Sequence, residues 1–509
     1  MGGRCRTVER TKKFGMRDGP IIAKDQRLRP PAGGGFSAAK KTPVLTGLAS
    51  TVLLLGGCAQ TLTYADLPAA NIAVPEQWND SNSALETDIA QYWLALDDPL
   101  LAEFVDLAVS NNLDLAQSSS RLAQTREGLA IARASRLPAI SASGGVARDV
   151  GDFAEDSLQF SVGSDASWEA DLFGQIGGSI TAARADLAGA GYSLADVQRA
   201  VIGNVALQTI SARSTAAQLA IARDTLVNQD ENLQIARWRL QAGLVSSLDV
   251  EQARVQRAQT AASIPSLESN LAATANAIST LIAEPPGRVF ALLEASAPVP
   301  TPPEMVGLAA PAEVLRRRPD VRAAEANLLA DSARVNVSRS QLLPMVRLTG
   351  SVGSGSIGIG NLFDVITGNL FAGVSQLIFD GGRTRAQVNS AEASAAGSLA
   401  AWRQAILNAL EDVETSNTDL RAARQRVAIL GKAREAAENA AILARSQYQA
   451  GLTDFQTLLL TENQLLSARN SLVTSEAQRV SAFVTLTQAL GGGWDPVDYS
   501  EISIQGSNP

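Results

Sequence analysis

The sequence predicts an α+β membrane protein: long coiled-coil helices written twice in tandem, plus four β-strands per chain that contribute to a shared twelve-stranded transmembrane barrel. Three observations predict it. Motifs recur at near-constant spacing along the body, a stretch from Met345 to Pro496 holds no internal proline, and residues 157–171 alternate apolar with polar.

The first 57 residues read as an address. Lys40 and Lys41 precede an apolar run from Val44 to Leu55, followed by Gly56, Gly57 and Cys58, the order of a secretory signal with its cut site. The run is short of the about 20 residues a spanning helix needs. A cysteine directly after two small residues marks lipoprotein processing, so Cys58 is expected to become the acylated first residue of the mature chain. Ala59 favours onward transport to the outer membrane. Residues 1–36 are basic and show no helical period, as a misassigned start site would produce.

Repetition organises the rest. Asp114 and Asp320 lie 206 residues apart, as do Pro138 and Pro344; Gly174 and Gly382 lie 208 apart, as do Gly243 and Gly451. Four anchors at almost one offset indicate tandem duplication. The expected units are a mature N-terminal segment at 58–96, a first repeat at 97–284, a Pro-rich linker at 285–309 acting as a hinge, a second repeat at 310–492 and a tail at 493–509.

Within each repeat the same elements follow in order. A helix runs to about Arg136 or Ser340, and two strands come next. A very long helix spans about 174–241 or 382–449, and a glycine turn leads into a return helix ending near Ala283 or Leu490. Some 67 residues at about 1.5 Å each make a rod of roughly 100 Å. Rods with an Ala/Leu/Ile stripe on one side and Arg, Gln and Glu on the other are coiled-coil elements. Glycine at the turn supplies the left-handed backbone that ends a helix and reverses the chain.

The strands are expected at about 139–150, 157–171, 345–352 and 369–379, with Gly- and Ser-rich outer loops at 150–157 and 353–368. Leu158, Phe160, Val162, Ala166 and Trp168 share one face of the second strand, while Gln159, Ser161, Asp165, Ser167 and Glu169 share the other. An apolar outside and a polar inside fit a barrel wall in lipid. A soluble half-buried strand alternates identically, so strand number decides. Open edges are not tolerated in lipid, and even eight strands leave an interior filled by side chains. Three chains would give twelve.

Composition narrows the chemistry. The chain of 509 residues is 46% hydrophobic but only 5% aromatic, which suits thin helical packing. It has no histidine, so Ser-His-Asp and Cys-His catalysis and His-based metal sites are excluded. Cys5 and Cys58 cannot form a disulfide framework. Beyond residue 57 there are 32 basic and 48 acidic side chains, an acidic body unsuited to nucleic acid. Gly353-Ser354-Gly355-Ser356 lacks the Lys of a phosphate loop. The acids Glu411, Asp412 and Glu414 and the run Arg316-Arg317-Arg318 read as a solvated or lumen-facing patch and a structural feature at the start of a helix.

Arg317-Arg318-Pro319-Asp320-Val321-Arg322-Ala323-Ala324-Glu325, the doubled Arg-x-x-x-Gln-Ala-Gly-Leu at 237–244 and 445–452, and Ala489-Leu490-Gly491-Gly492-Gly493-Trp494 resemble the outer membrane factor family, of TolC and OprM type. The lipoprotein signal resembles its NodT-type branch. The likeness covers roughly residues 58–497. It implies a homotrimer, a passive conduit across periplasm and outer membrane, a periplasmic adaptor, and an inner-membrane pump of RND type. It implies no cofactor besides the lipid on Cys58, and no enzyme. It places adaptor docking at the periplasmic tip: Gly243, Leu244, Val245, Gly451, Leu452 and Thr453. Family members commonly carry an Asp nine residues after the second turn glycine; Leu460 stands there, leaving Asp249, Asp454 and Glu462 as the candidate aperture acids. Export of drugs or other small toxic compounds is the leading expectation. A duct for type I protein secretion and a non-conducting periplasmic coiled-coil scaffold are the alternatives.

Overall fold

The computed structural model describes residues 72–78, 89–148, 150, 157–294, 297–303 and 308–495. The signal, Cys58 and most of the first expected outer loop lie outside them. After a 3-10 turn at Tyr92–Leu96 come α1 (Pro99–Asn111), α2 (Leu113–Ala134), β1 (Ala139–Arg148), β2 (Leu158–Ala170), α3 (Gln175–Gln241), α4 (Ser247–Leu281) and α5 (Arg288–Glu294). The chain continues through α6 (Pro311–Arg317), α7 (Pro319–Ser340), β3 (Met345–Ser356), β4 (Thr367–Ser375), α8 (Arg383–Gln449) and α9 (Phe455–Ala489).

The duplication is metric. α2 and α7 each have 22 residues, α3 and α8 each 67, and α4 and α9 each 35. Each long rod starts on a carboxylate that takes up orphan N–H groups. Asp171 accepts from Ile176 and Gly177 of α3, and Asp380 accepts from Thr384 of α8 and from Gly382 just before it. Among the described residues no helix is long and apolar enough to cross a membrane.

The strands form one antiparallel sheet in the order β1-β2-β3-β4. Two differences from the expected bounds have a common cause. β3 continues to Ser356 because Gly353 and Gly355, expected as loop, pair with Gly163 and Ser161 of the long second strand. β4 spans Thr367–Ser375 because its one partner among the described residues, β3, begins at Met345 opposite Ser375. Residues 376–379 pass the end of that ladder.

The main core lies where both repeats meet the N-terminal segment. Tyr92, Trp93, Leu101, Phe104, Ile202, Ile210, Ile278 and Phe483 are buried together. The Pro-rich stretch takes part in it. Instead of a bare hinge it contains α5, whose Val289 and Leu293, one turn apart, are fully buried in this core. Trp78 donates to the Ala309 carbonyl at 2.8 Å, and Trp494 of the expected tail is buried against Tyr192 and Ala326.

The second repeat is clamped by Arg318, 3% exposed at the start of α7. It donates to Asp320 at 2.6 Å, to Asp412 of α8 at 2.9 Å and to the Ala489 carbonyl of α9 at 3.2 Å. Burial raises the Asp320 pKa, but the Arg318 guanidinium outweighs it and holds the carboxyl below the ordinary range. We expect Arg318→Ala to cost about 2–3 kcal/mol by equilibrium unfolding, below the full cost of breaking a buried pair because Asp412 is half exposed. A depressed carboxylate stabilises the fold above its unfolded pKa and loses that contribution as pH falls. The gap between parent and variant should therefore narrow in acid.

Candidate functional site: a two-faced wall and a paired helical tip

The register sorts every strand residue onto one of two faces. On one, Ile140, Val146, Val162, Trp168, Leu348, Val352, Leu370 and Val374 lie across or diagonal to one another. On the other lie Ser141, Ser161, Asp165, Glu169, Arg347, Thr349, Ser351 and Asn369. Glu169 and Arg347 are direct partners, with charged atoms 3.9 Å apart. Phe371 is the aromatic residue on the polar face, which also takes Met345 at the end of the ladder. Leu370, mid-wall on the apolar face opposite Gly350, is 79% exposed. Such a wall separates hydrocarbon from water. Its outer edges on β1 and β4 are unpaired among the described residues.

At the far end of the rods, α3 and α8 stop in the same way. Gly243 (φ 72°) and Gly451 (φ 75°) adopt the left-handed backbone. Leu244 and Leu452 N–H groups reach back to the Arg239 and Gln447 carbonyls at 2.8 Å, while the glycine N–H groups bond Leu240 and Tyr448. This paired bonding pattern satisfies the last helical carbonyls. Leu244 (68%) and Leu452 (79%) are left projecting into solvent, with Val245 and Thr453 half-buried behind them.

The three candidate acids part company. Asp249 caps α4, accepting from the Ser246 N–H at 3.1 Å. Asp454 caps α9 through Thr457, whose hydroxyl and N–H hold its carboxyl below the usual range; the residue itself is exposed. Glu462 is turned inward and only 9% exposed, bonded to Asn232 at 2.7 Å and to Arg445 at 3.0 Å. It joins α3, α8 and α9 and presents no free carboxylate in this chain.

Other contacts bind the two tips into one body. Arg239 of α3 donates to the Tyr448 carbonyl at 2.8 Å, and its guanidinium lies 4.5 Å from the Tyr448 ring centroid. Tyr448 meets Phe455 at 5.4 Å and shares a small core with Leu233, Val250 and Leu458. Sequence reasoning missed this latch, although Arg239 and Tyr448 both lie within a few residues of the turn glycines it singled out. Between the return helices, Leu248, Val255, Leu459 and Leu460 line a cleft of about 510 Å³, bridged by the amides of Gln256 and Asn463. Leu460, which stands where the family commonly has an acid, is thus a groove residue. Removing the latch with Arg239→Ala should speed backbone hydrogen exchange across residues 233–253 and 444–458 while leaving exchange in the strands unchanged.

Comparison with known proteins places this architecture. The family described as outer membrane efflux protein matches residues 104–284 and 310–492. Pyoverdine export outer membrane protein OpmQ of Pseudomonas aeruginosa is 32% identical, with 88% of this chain and 96% of that protein covered. Nodulation protein T of Rhizobium leguminosarum bv. trifolii is 29% identical, covering 87% and 96%. The structure of the outer-membrane channel OprN superposes with a TM-score of 0.75 at 29% identity, over 83% of this chain and all of that one. With both repeats matched along their length, the chain belongs to the outer membrane efflux protein family.

Proposed function

We propose that three copies of this chain form the outer-membrane duct of an efflux assembly, a passive exit across periplasm and outer membrane for small toxic compounds. It is a channel and not an enzyme: the pump supplies the energy and selects the cargo. The observation that carries this is the open four-stranded wall, apolar on one face and polar on the other, with two edges unpaired among the described residues. The export role in the name of OpmQ supports a small-molecule cargo.

The repeat supports the way copies join. Inside one chain, β2 pairs with β3 across the repeat boundary, and α7 packs against both α3 and α8. At that joint Gly189 of α3 is closely packed, since a Cβ would sit 3.1 Å from Asn327 Oδ1 and 3.6 Å from Ala326 Cβ. Its repeat equivalent, Gly397 of α8, faces open space. Gln117, Ser120 and Arg121, the equivalents on α2 of Ala323, Ala326 and Asn327, are exposed as well. In a closed ring, Gly397 of one copy receives α2 of the next, and β4 pairs with that copy's β1. Consistent with this, α3 buries 29 residues and α8, of equal length, only 11.

Cys58 carries the lipid in this scheme and tethers the mature chain to the outer membrane. A periplasmic adaptor docks on Gly243, Leu244, Val245, Gly451, Leu452 and Thr453, and joins the duct to an inner-membrane pump of RND type. Asp454 is the exposed acid at the tip best placed to face the aperture; Asp249 is half-buried and Glu462 internally paired.

Two substitutions test the assembly. Gly397→Trp should leave the monomer folded, because the position is open, yet abolish the trimer in detergent as read by light scattering. A trimer of unchanged stability would remove the proposed joint. Leu370→Arg should reduce membrane insertion by about 2–4 kcal/mol near the bilayer midplane and abolish single-channel conductance. Full insertion of that variant would favour a periplasmic scaffold whose strands never meet lipid.

A further inference from the structure

The segment linking β3 to β4, residues 357–366, sits at the end of the sheet away from the rods. Surface connections exposed to water are generally polar. This one holds Ile357, Ile359, Leu362, Phe363, Val365 and Ile366, all but Leu362 between 63% and 72% exposed. It is ordered by its own turns: Asn361 N–H donates to the Gly358 carbonyl and Asp364 N–H to that of Asn361.

Two serines fix where the segment lies. By register Ser354 and Ser356 belong to the apolar face of β3, opposite Val162 and Phe160. A hydroxyl facing hydrocarbon without a partner would be costly. Ser354, 8% exposed, shares its hydroxyl between the carbonyls of Leu362 and Val365, the latter at 2.6 Å, and Ser356 bonds the Gly358 carbonyl at 2.6 Å. The segment is thus folded back against the outer end of the apolar face. Its carbonyls turn toward the serines while its large side chains remain open.

We infer that this segment is a rim anchor that beds its apolar side chains among the acyl chains of the outer leaflet, extending each copy's lipid-facing surface past the strand ends. The inference rests on the barrel reading above. Continuity with the apolar face selects lipid as the occupant. A plug in the lumen is disfavoured, because Ser354 lies on the face opposite Asp165, Glu169 and Arg347. A neighbouring copy is disfavoured, because the segment is pinned to β3, one strand in from the edge where the next β1 joins. Apolar side chains beside carbonyls already bonded to the strand serines suit an interfacial position.

Tryptophan depth-quenching tests it on the full-length trimer in phosphatidylcholine vesicles, with the added emission taken as the difference from the parent protein. Phe363→Trp should lose most of its added emission to lipids brominated on the acyl chain and little to aqueous iodide. Quenching by iodide alone would overturn the inference, and so would protection from both quenchers, which would bury the segment against protein. Leu370→Trp and Asn369→Trp serve as lipid-face and lumen-face references. If Leu370→Trp also escapes the brominated lipid, the barrel reading itself fails; if only Phe363→Trp does, the anchor alone is lost.

Discussion

An N–H or C=O group set in hydrocarbon must find its partner within protein, because there is no water to take its place. In this chain that requirement falls on the outward edges of β1 and β4, which are bare among the described residues. The sheet is too narrow to curl and meet itself, and its two faces are too different to lie in one solvent. Everything else in the molecule is consistent with resolving that conflict by adding copies. The chain even contains a finished example of the joint it needs, since the first repeat already meets the second through β2 and β3 above and through α3 and α7 below. In the proposed trimer one kind of seam serves both within and between copies.

The duplicated halves are no longer equal at the tip. Arg445 has Glu462 seventeen residues downstream and forms an inter-helix bridge with it. The corresponding pair in the first repeat is Arg237 and Arg254, two like charges, and Arg254 turns to Glu251 instead. The first repeat supplies Arg239 to the Tyr448 of the second, where the equivalent of Tyr448 is Leu240. The Arg239 to Tyr448 and Asn232 to Glu462 bonds therefore run from the first repeat to the second, while Gln256 and Asn463 exchange bonds both ways, and the two outward loops present non-identical neighbourhoods despite similar backbone turns.

Much of this could be read from residues alone. Long proline-poor stretches between glycines set the rods, since the second helical pair holds no proline and the first only Pro265, which α4 absorbs, and the β2 alternation exposed the wall. The errors have physical causes. Gly353 to Ser356 looks like a loop by composition, yet a glycine in a ladder needs only a partner, and β2 provides it. Val289 and Leu293 were hidden in a proline-rich stretch whose local pattern is too short to announce a helix. The ion pairs were beyond reach: Arg318 and Asp412 are 94 residues apart, and which of three neighbouring arginines turns inward depends on how α7 lies against α8. Glu462 stood out by its position after a turn, but only packing shows that its carboxylate is already engaged.

The matched rods, 67 residues out and 35 back in both halves, carry a consequence for how such a chain can change. An insertion in one rod alone would leave its tip standing proud of its twin and shear the Arg239 to Tyr448 contact. Growth or shortening is tolerable only when applied to both halves together and in whole helical turns, which keep the buried stripe in phase. The span this protein bridges is therefore adjustable in steps and not continuously, so a lineage facing a wider gap between its membranes must edit the gene at paired places.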